Sequence, residues 1–94
     1  MQLGWSLQKE RANRIKHGFD FSLAERIIAD PLVLLVYDRF EGGEHRHHAI
    51  GVVRREYLVV VHTYPDPDDE DFIRVIGLRP ATHRERKRYE EGDE

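Results

Sequence analysis

Glu44-His45-Arg46-His47-His48 places a carboxylate, a guanidinium and three imidazoles within five residues. On a strand, side chains alternate between faces, so Glu44, Arg46 and His48 point one way while His45 and His47 point the other. An acid, a cation and an imidazole in one row on a rigid element can move a proton and hold a phosphate. The same row also fits a cross-strand ion pair beside exposed histidines. Three clustered histidines raise the question of metal. Zinc takes three or four protein ligands, however, and here two imidazoles point away from the third with no further ligand nearby in sequence. Neither a metal site nor a cofactor is expected. Asp66, Asp68, Asp69, Glu70 and Asp71 gather carboxylates but lack the sixth-position glycine and twelfth-position glutamate of an EF-hand, which makes them a solvated loop.

Further along, Arg74 interrupts an apolar run and Arg79 lies just past its end. Their parity differs, so both reach one face only if the strand bulges near Gly77. A buried unpaired guanidinium costs several kcal/mol, so Arg74 needs a carboxylate, a phosphate or water. Residues Thr82–Glu91 carry Arg84, Arg86, Lys87 and Arg88, with only Tyr89 and the preceding Ala81 to pack. A helix this polar can lie along RNA, meet an acidic partner, or simply be solvated. Lys16-His17-Gly18 is ordinary helix-ending chemistry: cations in the last turn, then a left-handed stop.

These groups must be positioned by local elements. Residues Met1–Trp5 are extended, with room for a short strand. Ser6 caps a helix to about Lys16, with Ala12 and Ile15 on one face. A second helix opens at Ser22, with Glu25 at capping-box spacing, buries Ala24, Ile27 and Ile28, and ends at Asp30-Pro31. Strands follow over Leu32–Asp38, Glu44–Val53, Tyr57–Thr63 and Phe72–Leu78. They are separated by turns at 41–43 and 54–56 and by the proline-flanked acidic loop. Val59, Val60 and Val61 mark the third strand as central. Thr82 and Glu85 form another capping box, opening a helix to about Glu91. The expected fold is α+β: two N-terminal helices, a four-stranded antiparallel meander and a C-terminal helix, with the helices on one face and the other face open.

The 94 residues bound what such an architecture can be: one domain, residues 1–94, with a thin core. Without cysteine there is no disulfide and no thiolate metal site. The longest apolar run, Leu32–Tyr37, is far short of a bilayer span, and no leader is expected. The net charge of −3 conceals a division, since nine of 18 acids sit in the 66–71 loop and the tail (Glu90, Glu91, Asp93, Glu94). The rest is basic, with nine acids against 15 Lys and Arg. A basic body suits a polyanion, or is merely a charged surface.

A wider set of residues carries a resemblance. Trp5, Lys9, Asn13, Lys16-His17-Gly18, Phe21, Ala24 and Asp30-Pro31 come first. Asp38, Glu44-x-Arg46, Gly51, the Val59–Thr63 strand, Ile73-Arg74-Val75-Ile76, Arg79, Ala81, Glu85 and Tyr89 follow in order. In order and spacing the chain resembles the BrnT family of bacterial type II toxins, small ribonucleases with a RelE-like fold. The resemblance implies RNA cleavage in the bacterial cytoplasm and neutralisation by a BrnA-like ribbon-helix-helix antitoxin. Operator DNA would be bound only through the toxin–antitoxin complex. The chain departs from the family at Ser6, where an aspartate is usual, and at Ile76-Gly77-Leu78-Arg79, where Ile-Ser-Ala-Arg is common. The histidine cluster and the acidic loop also look specific to this chain.

With the resemblance, the expected chemistry is metal-independent attack of an RNA 2′-hydroxyl on its neighbouring phosphate. Arg46 and Arg79 stabilise the added charge. Glu44 acts as base or orients Arg46, and His17 is the candidate acid, imidazole being the side chain that titrates near neutrality. Lys9, Lys16, Arg74 and Arg84 hold the strand. The alternative is a weak or inactive toxin-fold module that acts through its antitoxin in transcriptional autoregulation, a reading prompted by the missing serine.

Overall fold

A computed structural model describes residues 1–92; Asp93 and Glu94 of the acidic tail lie outside the described residues. Ser6 opens α1 (Leu7–His17) by accepting from the Lys9 amide, and Gly18, at φ 81°, closes it. Asp20, rather than Ser22, caps the next segment through the Ser22 amide. That segment is a 3₁₀ turn (Phe21–Leu23) running into the five-residue α2 (Ala24–Ile28). The second N-terminal helix is thus one short piece, and the expected capping box there does not form. At the other end Thr82 and Glu85 do form one, opening α3 (His83–Glu91).

The sheet has five strands, not four. They are β1 (Gln2–Gly4), β2 (Leu34–Glu41), β3 (Glu44–Val53), β4 (Glu56–Thr63) and β5 (Phe72–Pro80), ordered β1-β5-β4-β3-β2. β2 to β5 form the expected antiparallel meander, with β4 central, but β1 pairs in parallel with β5, making the sheet mixed. β1 is fixed at its start: the Gln2 amide donates to Asp71 O at 2.8 Å, and the terminal ammonium lies 2.9 Å from Asp71 Oδ1.

One face of the sheet meets the 3₁₀ turn and α2. Phe21, Ala24 and Ile27 pack on Ala49, Val53, Leu58, Val60, Val75 and Leu78, all nearly free of solvent. The approach is close enough that a Cβ at Gly51 would lie 2.6 Å from the Ile27 carbonyl. Trp5 meets Phe21 edge-on at 6.1 Å. α1 contributes no apolar side chain to this core; Ile15 is 84% exposed and Ala12 is exposed too. Polar groups hold the helix instead. The Asn13 amide donates to Leu78 O (2.8 Å) and accepts from Leu78 N (3.1 Å), and buried Glu10 accepts from the Phe21 amide. Asn13 thereby closes the edge of β5 beyond the reach of β1.

The helices do not all share one face. α3 lies on the opposite one, where Tyr89 meets the Tyr57 ring edge-on and the Arg86 guanidinium sits 4.2 Å over it. Asp30 ties this helix to the sheet, its Oδ2 accepting from Tyr89 Oη (2.6 Å) and from the Val52 amide (2.9 Å). Burial raises the Tyr89 pKa to about 12, and the hydrogen bond to Asp30 adds to it. Only the part of this second face beyond α3 stays uncovered, and it carries the charged residues.

Candidate functional site

Directly opposed residues of antiparallel strands share a face. Their register assembles the second face in rows: Arg46, Thr63 and Arg74, then His48, Val61 and Gly77, then Ile50, Val59 and Arg79. The rows hold because β5 bulges. Val61 opposes Gly77 while the adjacent His62 opposes Val75, leaving Ile76 as the extra residue. Arg74 and Arg79 reach one face by that bulge, at the position where the glycine pointed to it.

α1 adds a stripe of three side chains, Lys9, Asn13 and His17, spaced i, i+4, i+8 along one side. With Arg46, Val61, Gly77 and Arg79 they line a cleft of about 200 Å³. A second cleft of about 430 Å³ adjoins it, sharing Lys9, Arg46 and Ile76 and adding Trp5, Glu44, Phe72 and Arg74. Lys9, His17, Arg46 and Arg79 therefore converge on one cleft, and Glu44 and Arg74 stand in its continuation. Lys16 and Arg84 are exposed and line neither.

Each arginine on this face has a carboxylate. Arg46 Nη1 lies 2.8 Å from Glu41, on β2 across the hairpin. Arg74 donates to both oxygens of Glu44 at 2.9 and 3.1 Å. Arg79 makes a two-point fork to Glu85 of α3 at 2.7 and 2.9 Å. Glu44 thus holds Arg74, whereas Glu41 holds Arg46. The swap follows from an irregularity in the β2–β3 register at Asp38, which sets Arg39 opposite Arg46 and Glu41 opposite Glu44. Glu85 carries the most connections, since its Oε1 also accepts from the Thr82 amide. Burial raises its pKa, but the Arg79 fork and the Thr82 bonds outweigh this and bring it down to about 2. His48 sits between Glu85 (3.6 Å) and Asp38 (3.5 Å); burial still lowers its pKa, so the imidazole is neutral at pH 7.

Sequence reasoning left out several neighbours. Asn13 lines the cleft and holds the β5 edge, and its i+4 spacing from Lys9 and to His17 was the available signal. Thr63, between Arg46 and Arg74 in its row, is 1% exposed, and its hydroxyl has no hydrogen-bond partner among the described residues; nothing in its local sequence marks it. His45 and His47 face the other side, and among the described residues no three His, Asp or Glu side chains come together as a metal would require. Cations from three elements around a concave, partly enclosed surface, with an imidazole at one wall, suit a phosphodiester.

A family model described as "Ribonuclease toxin, BrnT, of type II toxin-antitoxin system" matches residues 5–85. No curated protein matches the chain. Among the described residues no helix is long and apolar enough to cross a membrane.

Proposed function

The chain belongs to the BrnT family of ribonuclease toxins of type II toxin–antitoxin systems, and from that premise we propose that it is an endoribonuclease working without a metal. The 2′-oxygen of a ribose attacks the adjacent phosphorus and the 5′-oxygen leaves, giving a cyclic phosphate and a free hydroxyl. Arg46 and Arg79 stabilise the phosphorane, Glu44 takes the 2′-hydroxyl proton and His17 protonates the departing oxygen. Lys9 and Arg74 hold the backbone along the two clefts, and Lys16 and Arg84 guide it from outside. The observation that carries this reading is the convergence of Lys9 and His17 of α1 with Arg46 and Arg79 of the sheet on a single cleft.

The ion pairs decide how the arginines take part. Glu41 is about half exposed, and such surface pairs contribute only about 0–1 kcal/mol, so a phosphate can replace it on Arg46. Glu85 is more enclosed and keeps its hold on Arg79. A guanidinium has five N–H donors, so the fork leaves Arg79 with donors for a phosphate oxygen.

The test is RNA cleavage by the purified protein with EDTA present. We expect Arg46→Ala and Arg79→Ala to lose about 10²-fold or more in rate while melting as folded proteins. Undiminished cleavage by both discards the assignment, and activity abolished by EDTA and restored by zinc discards metal independence.

The family implies an antitoxin partner, which we take to be a small ribbon-helix-helix protein, with operator DNA reached through the complex. A second reading, a weakly catalytic module acting through that antitoxin, is favoured by Gly77 and by the carboxylates already seated on Arg46, Arg74 and Arg79. Growth on induction separates them: arrest relieved by the antitoxin supports the nuclease, and normal growth with tight antitoxin binding supports the module.

A further inference from the structure

The face of β3 turned away from the arginines carries a group that RNA cleavage does not use. His45 and His47 stand there with Tyr37 and Phe40 of β2, His62 of β4, and Tyr64 just beyond it. Tyr37 and Tyr64 each meet the His47 ring nearly at right angles, 79° at 5.5 Å and 74° at 5.1 Å. His62 stacks on His47 at 25° and 5.9 Å and is itself 1% exposed. The Tyr37 hydroxyl lies 3.0 Å from His45 Nδ1, which fixes both rings. Tyr37, His45, His47 and Tyr64 line a cavity of about 380 Å³, bounded on one side by Pro65, Pro67 and Glu70 of the acidic loop and at one end by Glu44.

Tyrosine and histidine rings lining a hollow can offer π faces, whose quadrupole attracts a cation, and guanidinium also stacks flat on such rings. The surroundings select the sign of the guest. Glu44 and Glu70 line the cavity, and Asp66, Asp68, Asp69 and Asp71 belong to the same loop, so a phosphate backbone is repelled and a cation attracted. Burial lowers the pKa of His47, so its ring is neutral at pH 7 and does not oppose a cation.

We propose that the box of Tyr37, His45, His47 and Tyr64, with the acidic loop at its rim, receives the guanidinium of an arginine on the antitoxin. The proposal rests on the toxin–antitoxin reading for its partner. The rings of the receptor lie on the other face of the sheet from the cleft arginines, and Glu44, at one end of the cavity, is the residue the two sites share.

The experiment titrates the full chain with Nα-acetyl-arginine methylamide, following the ring protons of Tyr37, His45, His47 and Tyr64 by NMR. The citrulline counterpart, neutral but of the same shape, and adenosine and uridine are run as controls. The arginine compound is expected to shift those rings and the citrulline compound to do so at least tenfold more weakly. Tyr37→Leu and Glu70→Gln should each weaken binding by roughly fivefold to tenfold. Tyr37 is 53% exposed and Glu70 lies in a surface loop, so both variants keep the fold. Equal shifts by the citrulline compound, shifts by a nucleoside in place of arginine, or no shifts at all overturn the receptor. In co-purification with the antitoxin, the same variants should retain about tenfold less of it, and unchanged retention overturns the choice of partner. Both variants should cleave RNA as the parent does, so failure of the receptor and failure of the nuclease are read separately.

Discussion

Single residues on the two faces respond to pH through different chemistry but with one sign. Burial brings the His62 pKa down to about 4, against the pull of the Val60 carbonyl on its Nδ1. The unfolded chain takes up that proton near pH 6.5 and the folded one only near 4, so between these values stability is lost as pH is lowered. The loss from His62 is on the order of 3 kcal/mol by pH 4, and His47 and His48, also lowered by burial, act in the same direction. Glu85 extends the trend: its contribution is whole above about 4.5 and disappears as pH falls toward 2. Thermal unfolding followed by circular dichroism should show Tm dropping from pH 6.5 to 4, and His62→Leu should flatten that slope; a level Tm in the parent refutes the account. Gly77 is the other informative residue. A Cβ there meets Val61 at 3.5 Å and Asn13 Oδ1 at 3.9 Å, ordinary contact distances, so Gly77→Ser should leave Tm nearly unchanged and put a hydroxyl into the cleft. If the missing hydroxyl limits the enzyme, cleavage rises about tenfold or more; an unchanged rate removes the departure as a reason to doubt activity. The grouping of Arg74 with Arg79 was legible, because glycine marked the bulge. Their carboxylates were not, because a one-residue slip at Asp38 decides which glutamate meets which arginine.

At the scale of elements, the β3–β4 turn is the strained one. Arg54 and Arg55 take φ of 52° and 69°, the left-handed pair that a two-residue hairpin needs and that Asn-Gly supplies without penalty. Replacing Arg54 by Asn together with Arg55 by Gly should stabilise the protein by about 1 kcal/mol, a rise of about 4–8 °C in Tm for a domain this size. A scanning melt checks it, and a fall in Tm means the arginines make contacts that outweigh their backbone strain. Elements with a local signal were legible in the sequence: the capped starts of α1 and α3, the glycine stop, two tight turns and the valine-rich central strand. Two features were not. β1 fills the room that residues 1–5 left for a short strand, but its parallel pairing with β5 spans most of the chain and left no local signal. α1 misled because apolar spacing points to Ala12 and Ile15, while the helix is held through Glu10 and Asn13, polar residues whose partners lie in other elements.

For the molecule as a whole, the question is how a chain of net charge −3 binds a polyanion. Its 30 × 30 × 23 Å extent is about three Debye lengths across at 0.1 M salt, so an approaching phosphate responds to the charges nearest it rather than to their sum. Lys9, Arg46, Arg74 and Arg79 line the two joined clefts, while the acidic 66–71 loop meets the aromatic cavity through Glu70. Binding should therefore track the cleft cations. For single strands the slope of log K against log salt is about −0.7 per phosphate neutralised, so four contacts give roughly −3. Arg46→Ala should make that slope shallower by about 0.7, measured by fluorescence anisotropy on an oligonucleotide with 2′-O-methyl groups to block cleavage. Asp68→Asn, in the exposed loop, changes the net charge by the same amount in the other direction and should leave the slope alone. If both variants shift the slope equally and oppositely, the protein is read by RNA as a diffuse charge, and the cleft is not where the backbone lies.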